Sequence, residues 1–349
     1  MAVWSGSRRA IWLRHVGVLA LFGLLTAAMT WPMAAHFDDA VLGPPGANLE
    51  YVWKMWWFKN ALLERKVSPF FVPEVFYPFG YPLALSETTL ANTLLGLPIT
   101  AIWGEVVGYN AMVYFSFVLS GYAIYLLLSE LGCGPFGAFI GGLVFAFSPY
   151  RLAHLGAGHL PLMGTGWIAL SFLALERLVR RPSWGRGALL GAAFALTALS
   201  SWYYVLIVGP FLALYLLLRT WTTKARNPDT LWRRELWLGL GVGGVLCGLL
   251  VAPAAVPLLK LYLAGEMGGG YSLGYTDRWS ASPLDFVYPN AMHPWWGAAL
   301  TTGYYQNVNE HLLYLGLVAL LLTAIGLWSR WQERPAKALA IVGIVAFIL

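Results

Sequence analysis

The sequence predicts an all-α polytopic membrane protein: a helical bundle with a long first extracytoplasmic loop that carries interfacial helices. Three observations carry that expectation. Hydrophobic residues make up 59% of the 349-residue chain and charged residues 11%, an imbalance that a soluble core of this size cannot bury. Apolar runs close to the length of a bilayer crossing recur along most of the chain. The basic residues fall in loops that alternate with those runs, so the net charge of +6 reflects topology and not a nucleic-acid footprint. The 18 tryptophans gather near the ends of the runs, as in an interfacial aromatic belt.

In chain order, spans are expected at 12–35, 109–129, 137–150, 163–178, 187–201, 203–219, 236–258 and 312–329. A ninth begins near residue 337 and reaches Leu349 too soon to cross, so the single transmembrane domain 1–349 is expected to be the N-terminal fragment of a longer protein. Arg8, Arg9 and Arg14 before the first run resemble a signal peptide, but the many later spans favour a retained helix. Segment 89–104 is apolar yet interrupted by Asn92, Gly96 and Pro98. Charge decides its place: if it lies at the interface, 15 of the 22 basic residues fall on the cytoplasmic side, and if it spans, 12 of those move outside. The positive-inside rule selects the interface. The N-terminus is then cytoplasmic, and loops 36–108, 151–162 and 259–311 face outward. Region 187–219 must hold two short spans that turn at Ser200-Ser201-Trp202, because a single span would invert everything downstream. No internal repeat supports an inverted-repeat transporter, and the distant Cys133 and Cys247 imply neither a disulfide framework nor a metal cluster.

The outward loops hold the chemistry. Leu49, Val52, Trp53, Trp56 and Trp57 recur at helical spacing, with Glu50 and Lys54 as an i,i+4 pair on the other side. This predicts a helix in the interface plane with its tryptophans in the acyl boundary. Pro69, Pro73, Pro78 and Pro82 then break the chain into turns. Asp38 and Asp39 follow the first span directly. They read either as a general base or metal ligands, or as a solvated acidic turn, since an acid near the membrane is costly unless solvated or used. In the second loop Arg151 suits a bidentate grip on phosphate. His154 and His159 can ligate a metal but lack an adjacent third ligand, which favours interface anchoring. The third loop carries Asp277, Arg278, Asp285, His293-Pro294-Trp295-Trp296 and Asn309-Glu310-His311. Its Gly268-Gly269-Gly270 run is a hinge and not a phosphate loop, and Glu310 also fits a helix N-terminal acid. HExxH, Walker and CxxC motifs and a Ser-His-Asp order are absent, so soluble-type hydrolase and nucleotide chemistry have no support.

Several segments, in their order, resemble bacterial members of the GT-C glycosyltransferase superfamily. They are Trp31-Pro32, Glu50-Tyr51-Val52-Trp53-Lys54-Met55-Trp56-Trp57, Phe76-Tyr77-Pro78-Phe79-Gly80, Tyr109-Asn110, Phe145-Ala146-Phe147-Ser148-Pro149-Tyr150-Arg151, Ser200-Ser201-Trp202-Tyr203-Tyr204, Pro289 to Pro294, and Glu310 with Tyr314-Leu315-Gly316. The resemblance implies a GT-C-like bundle with a catalytic carboxylate in the first outer loop. It also implies transfer of a sugar from a polyprenyl-phosphate donor to a glycan, lipid or protein hydroxyl at the outer face of a bacterial cytoplasmic membrane, among membrane lipids and without nucleic acid. Relatives carry an acid directly after the glycine that matches Gly46, where this chain has Ala47. The catalytic role is therefore expected of Asp38, Asp39 or Glu50. Arg151, and after it Arg278, are expected to stabilise the leaving phosphate, with His154, His159, His293, Glu310 and His311 completing the substrate-binding set. No cofactor is expected beyond a divalent cation, which this chemistry accommodates. Two rival readings stand. A lipid-linked sugar flippase or transporter would need ionisable residues inside the spans, which are almost lacking. A non-catalytic GT-C-like subunit that binds lipid or a partner is favoured by Ala47.

Overall fold

The computed structural model describes residues 7–224, 233–289, 293 and 309–348. Every regular element among them is helical: α1 (Arg8–Met29), α2 (Ala47–Lys59), α3 (Leu90–Trp103), α4 (Glu105–Glu130), α5 (Pro135–Ala146), α6 (Pro149–Gly156), α7 (Thr165–Arg180), α8 (Trp184–Ser200), α9 (Trp202–Lys224), α10 (Arg234–Leu263), α11 (Leu273–Trp279), α12 (Leu317–Arg330) and α13 (Arg334–Ile348). Among the described residues six helical stretches are long and apolar enough to cross a membrane: 8–29, 105–130, 135–156, 160–180, 202–220 and 234–263. Helices α3 and α12 have 14 residues each, about 21 Å of rise against the ~30 Å of a hydrocarbon core, so both are too short to cross unaided, α12 against the expected span 312–329. Region 187–219 forms two helices, α8 and α9, with Ser201 between them; of the two expected spans, only that of α9 is among the stretches long and apolar enough to cross.

Several boundaries differ from expectation for local reasons. The first helix stops at Met29, and Met33–Ala35 forms a separate 3-10 turn. The run 137–150 breaks at Phe147-Ser148, because Pro149 disfavours helical backbone at Ser148 and then opens α6 as its first residue. The last long apolar run becomes helical only at Leu317, after Gly316 with φ of 86°.

Helix α4 is the hub, packed by α1, α2, α3, α5 and α7. Within a bilayer, apolar burial gives helices little reason to associate, so close packing of small residues takes its place. The ring of Phe22 sits in a notch at Gly121 and Gly142, where a Cβ on either glycine would strike it. The α8–α10 contact is closer still. A Cβ at Gly187 would collide with the Gly239 carbonyl, and one at Gly191 with the Gly243 carbonyl. Both pairs are small-xxx-small registers.

Contacts sort the helix ends into two groups. At one end Arg177 Nε donates to Glu130 at 3.0 Å and Arg330 Nη2 to the Gly132 carbonyl at 3.3 Å. Beside them lies Glu176, fully buried in the expected span 163–178 and an exception to its apolar reading. It accepts from Arg219 Nε and Nη2 at 2.8 Å each, from Arg180 at 2.6 Å and from the Tyr215 hydroxyl at 2.9 Å. At the other end Asn110 Nδ2 donates to the carbonyls of Phe37 (3.0 Å) and Ala40 (2.8 Å), and the Tyr204 hydroxyl to Leu162 O at 2.8 Å. The two loop sets separated by charge parity thus stand at opposite ends of α4. Arg226 lies outside the described residues.

Candidate functional site

The acidic end is built around α2. Gly46 caps the helix, and Asn48 locks its start: Oδ1 accepts from the Gly46 and Leu49 amides at 3.0 and 2.9 Å, while Nδ2 donates to Leu42 O at 3.0 Å. The buried face of α2 is Tyr51, Lys54, Met55, Trp57 and Phe58, with Leu49 exposed. The helix docks into protein on the face that holds Lys54; of the expected interfacial set Trp57 is buried there, while Leu49 is exposed and Val52, Trp53 and Trp56 are half-buried. The charge of Lys54 is met by the Glu50 carboxylate, by the Glu87 carbonyl at 2.8 Å and by the Tyr51 ring. Burial pulls the Lys54 pKa down, and Glu50 counteracts it.

The other wall is the turn Glu87-Thr88-Thr89. Thr89 has φ of 43°, a strained value for a β-branched residue, and is buried. Asn92 holds it, donating to Thr89 Oγ1 at 2.8 Å and to Leu160 O at 3.4 Å, and Thr93 Oγ1 donates to Thr88 O at 2.9 Å. The half-buried Glu87 carboxylate accepts from the Ser201 hydroxyl at 3.0 Å. Burial raises its pKa, opposed by that hydrogen bond, the Trp202 amide and the Lys54 charge.

A second cluster comes from the following loop. Helix α6 ends in a Schellman motif: Gly158, at φ of 78°, donates to Leu155 O, and His159 N donates to His154 O, both at 2.9 Å. A Cβ at Gly158 would also strike the Asn48 backbone, so this glycine seats the turn against α2. The reversal lays His159 over His154, with ring centroids 4.9 Å apart and Nδ1 atoms 2.7 Å apart. The Tyr150 ring covers His154 from 4.2 Å. Glu310 arrives from the segment before α12 and puts Oε2 3.7 Å from His154 Nε2. His154 is fully buried, and its Nε2 has no hydrogen-bond partner. One ligand atom each from His154, His159 and Glu310 lie within 4.8 Å of one another, so these three can hold a metal ion. Burial lowers the His159 pKa, against the charge of Glu310. Next to Glu310, His311 Nδ1 lies 2.8 Å from Oδ2 of the buried Asp285.

Residues 57–349 match a family described as a domain of unknown function, DUF6311. The chain belongs to the DUF6311 family. No curated protein and no solved structure matches it. The DUF6311 region takes in Glu87, His154, His159, Glu310 and His311, and leaves Asp38, Asp39, Ala47 and Glu50 outside.

The structure brings only some of the expected residues together. His154, His159 and Glu310 form one cluster of the DUF6311 region, with His311 adjoining it in sequence. Glu50 joins the other cluster through Lys54. Asp38 and Asp39 stand on an exposed turn, where Asp39 pairs with His36 Nδ1 at 3.2 Å. Arg151 requires a correction. Its side chain is buried against the Phe117 ring, and its terminal nitrogens donate to the carbonyls of Ala146 (2.8 Å), Met163 (3.0 Å) and Ser116 (3.4 Å). Those donors tie α4 to the turns flanking α6, so the guanidinium is not offered to a phosphate. The His293 ring lies against Tyr314 at 5.9 Å. The Arg278 side chain and Pro294, Trp295 and Trp296 lie outside the described residues. Sequence reasoning missed Glu87, Asn48 and the burial of Lys54. Asn48 two residues after Gly46 at a helix start was the available signal; for Glu87 there was none, because its environment is made by Ser201 from far along the chain.

Proposed function

We propose that this chain transfers a sugar from a polyprenyl-phosphate donor to an acceptor hydroxyl at the outer face of a bacterial cytoplasmic membrane. The observation that carries the reading is convergence. All three loops assigned outward by charge contribute to the same end of the bundle: Glu87 from the first, His154 and His159 from the second, Glu310 and His311 from the third. The basic loops, which favour the cytoplasm, gather at the other end. Three such loops facing the headgroup layer suit a substrate whose sugar and phosphate sit at that depth and whose chain stays in lipid.

Glu87 is the best candidate for the general base. It is half-buried and hydrogen-bonded on one side to Ser201, and its raised pKa makes it a stronger base than an exposed glutamate. In the reaction the acceptor oxygen bonds to the anomeric carbon, its proton passes to Glu87, and the bond from that carbon to the phosphate oxygen breaks. Lys54 acts as a positioning residue through the Glu87 carbonyl.

The test is transfer from a radiolabelled polyprenyl-phosphate sugar in membranes that contain the chain. Glu87→Gln is expected to lower the rate by ~10²–10⁴-fold, the usual worth of a general base. Asp38→Asn combined with Asp39→Asn is expected to leave it unchanged. Full activity in Glu87→Gln would remove Glu87 from the chemistry. A second reading, a non-catalytic lipid- or partner-binding subunit, is favoured by Ala47, which opens α2 against the apolar cluster around Tyr109 and Leu155 without a carboxylate. Tight retention of the lipid-linked sugar without turnover by the intact chain is its expected signature.

A further inference from the structure

We propose that His154, His159 and Glu310 form a binding site for a divalent cation of the zinc class. The first ground is geometry: three ligand atoms from two separate segments lie within 4.8 Å of one another, in a protein where each segment is independently anchored. The Schellman turn fixes the two histidines, and Gly158 fixes that turn on α2.

The second ground is the state of His154. The ring is fully buried, yet its Nε2 has no hydrogen-bond partner, a costly condition for a buried polar atom. The nearest acid oxygen, Glu310 Oε2, is 3.7 Å away, too far for a hydrogen bond. The Nδ1–Nδ1 approach of 2.7 Å to His159 requires a bridging proton on one ring. Neutral His154 protonated at Nδ1 satisfies that approach and leaves a bare Nε2 lone pair facing a carboxylate. Two electron-rich atoms so placed repel unless a cation lies between them. Ligands about 2.0–2.1 Å from a tetrahedral zinc ion lie roughly 3.4 Å apart, close to the 3.7 Å between His154 Nε2 and Glu310 Oε2. Neutral His159 has a single lone pair, so on ligating the ion it gives up the bond from His154, and the ion takes the place of that contact.

The donor set selects the ion. Two imidazoles and one carboxylate suit zinc and its first-row neighbours, whereas magnesium and calcium prefer oxygen alone. Three protein ligands leave a fourth position, as in zinc sites that bind substrate. Taken with the proposed transfer reaction, on which this one clause rests, that position would receive a phosphate oxygen of the donor. The ion would then supply the positive charge that the caged Arg151 does not.

The experiment is metal binding by the purified full chain in nanodiscs, stripped with chelator and titrated with zinc alone. One equivalent per chain is expected, and cobalt in its place should give the intense visible absorption of a tetrahedral site. Glu310→Gln and His159→Gln, both at half-buried positions, are expected to weaken zinc by more than the ~10–100-fold cost of an outer-shell change, with the unfolding temperature of the metal-free chain retained. His154→Ala should abolish the cobalt spectrum. Absence of stoichiometric zinc, unchanged binding in Glu310→Gln and His159→Gln, or preference for magnesium would overturn the proposal. Zinc bound without sugar transfer would leave the site standing and remove the enzymatic reading. Transfer by a chain that binds no zinc would do the reverse.

Discussion

Two side chains show how burial changes a residue's role. Arg151, His154 and Leu155 form the buried stripe of α6 at i, i+3 and i+4. A positive residue at the outer end of an apolar run looks like a phosphate ligand, but that spacing also places it on the buried face of a helix. Its donors go to backbone carbonyls that the helix breaks at Phe147 and Met163 leave open. Glu87 is the converse, an unremarked acid in the sequence that the fold half-buries. Its raised pKa gives a pH prediction with a fixed sign. A base works deprotonated, so the acidic limb of the kcat/KM profile should lie above the ordinary glutamate range, with activity lost as pH falls through it. Ser201→Ala removes a hydrogen bond that favours the charged carboxylate, and should move the limb further up. Steady-state transfer rates across pH for both proteins check this. A limb that stays in place in Ser201→Ala would separate Glu87 from the observed titration.

Among elements, charge parity was the stronger guide and helical periodicity the weaker. Parity kept α3 from being counted as a crossing and counted the run of α12 as one, yet both helices have 14 residues, so length does not separate them. Periodicity found α2 but did not show that Lys54 and Trp57 are buried: tryptophans mark apolar surface equally well against lipid and against protein, and only the docked structure separates the two. The α8–α10 contact was not legible, because glycines scattered through apolar runs become a packing signal only when two helices face each other. That contact makes a direct comparison available. Gly191→Ala forces a Cβ into the Gly243 carbonyl and should cost about 1–3 kcal/mol, seen as a lowered unfolding temperature in detergent. Gly241→Ala, on the same α10 with open space at its Cβ, should be neutral or stabilising by up to ~1 kcal/mol through helix propensity. Equal effects of the two would mean that α8 and α10 do not meet at this register.

For the molecule as a whole, the two ends differ in chemistry, and the difference predicts an orientation. The end with Arg177, Arg180, Arg219 and Arg330 is cationic; the first three are tied to Glu130 and Glu176, and Arg330 to Glu333. Glu176 accepts from Arg180, Tyr215 and Arg219 together, so this network reads as a clamp between α7 and α9. The opposite end presents the loops with Asp38, Glu87, His154 and Glu310. On the positive-inside rule the cationic end is expected in the cytoplasm. Single cysteines can read this directly in a background where Cys133 and Cys247 are serine. Ser68 and Arg181 are both exposed and belong to the two different ends. In intact cells a membrane-impermeant maleimide should label Ser68→Cys, and should label Arg181→Cys only after permeabilisation. The reverse pattern would put Glu87 and the histidine–glutamate cluster on the cytoplasmic side. There the lipid-linked donor proposed here would be on the wrong face of the bilayer, so the same labelling pattern bears on both the orientation and the reaction.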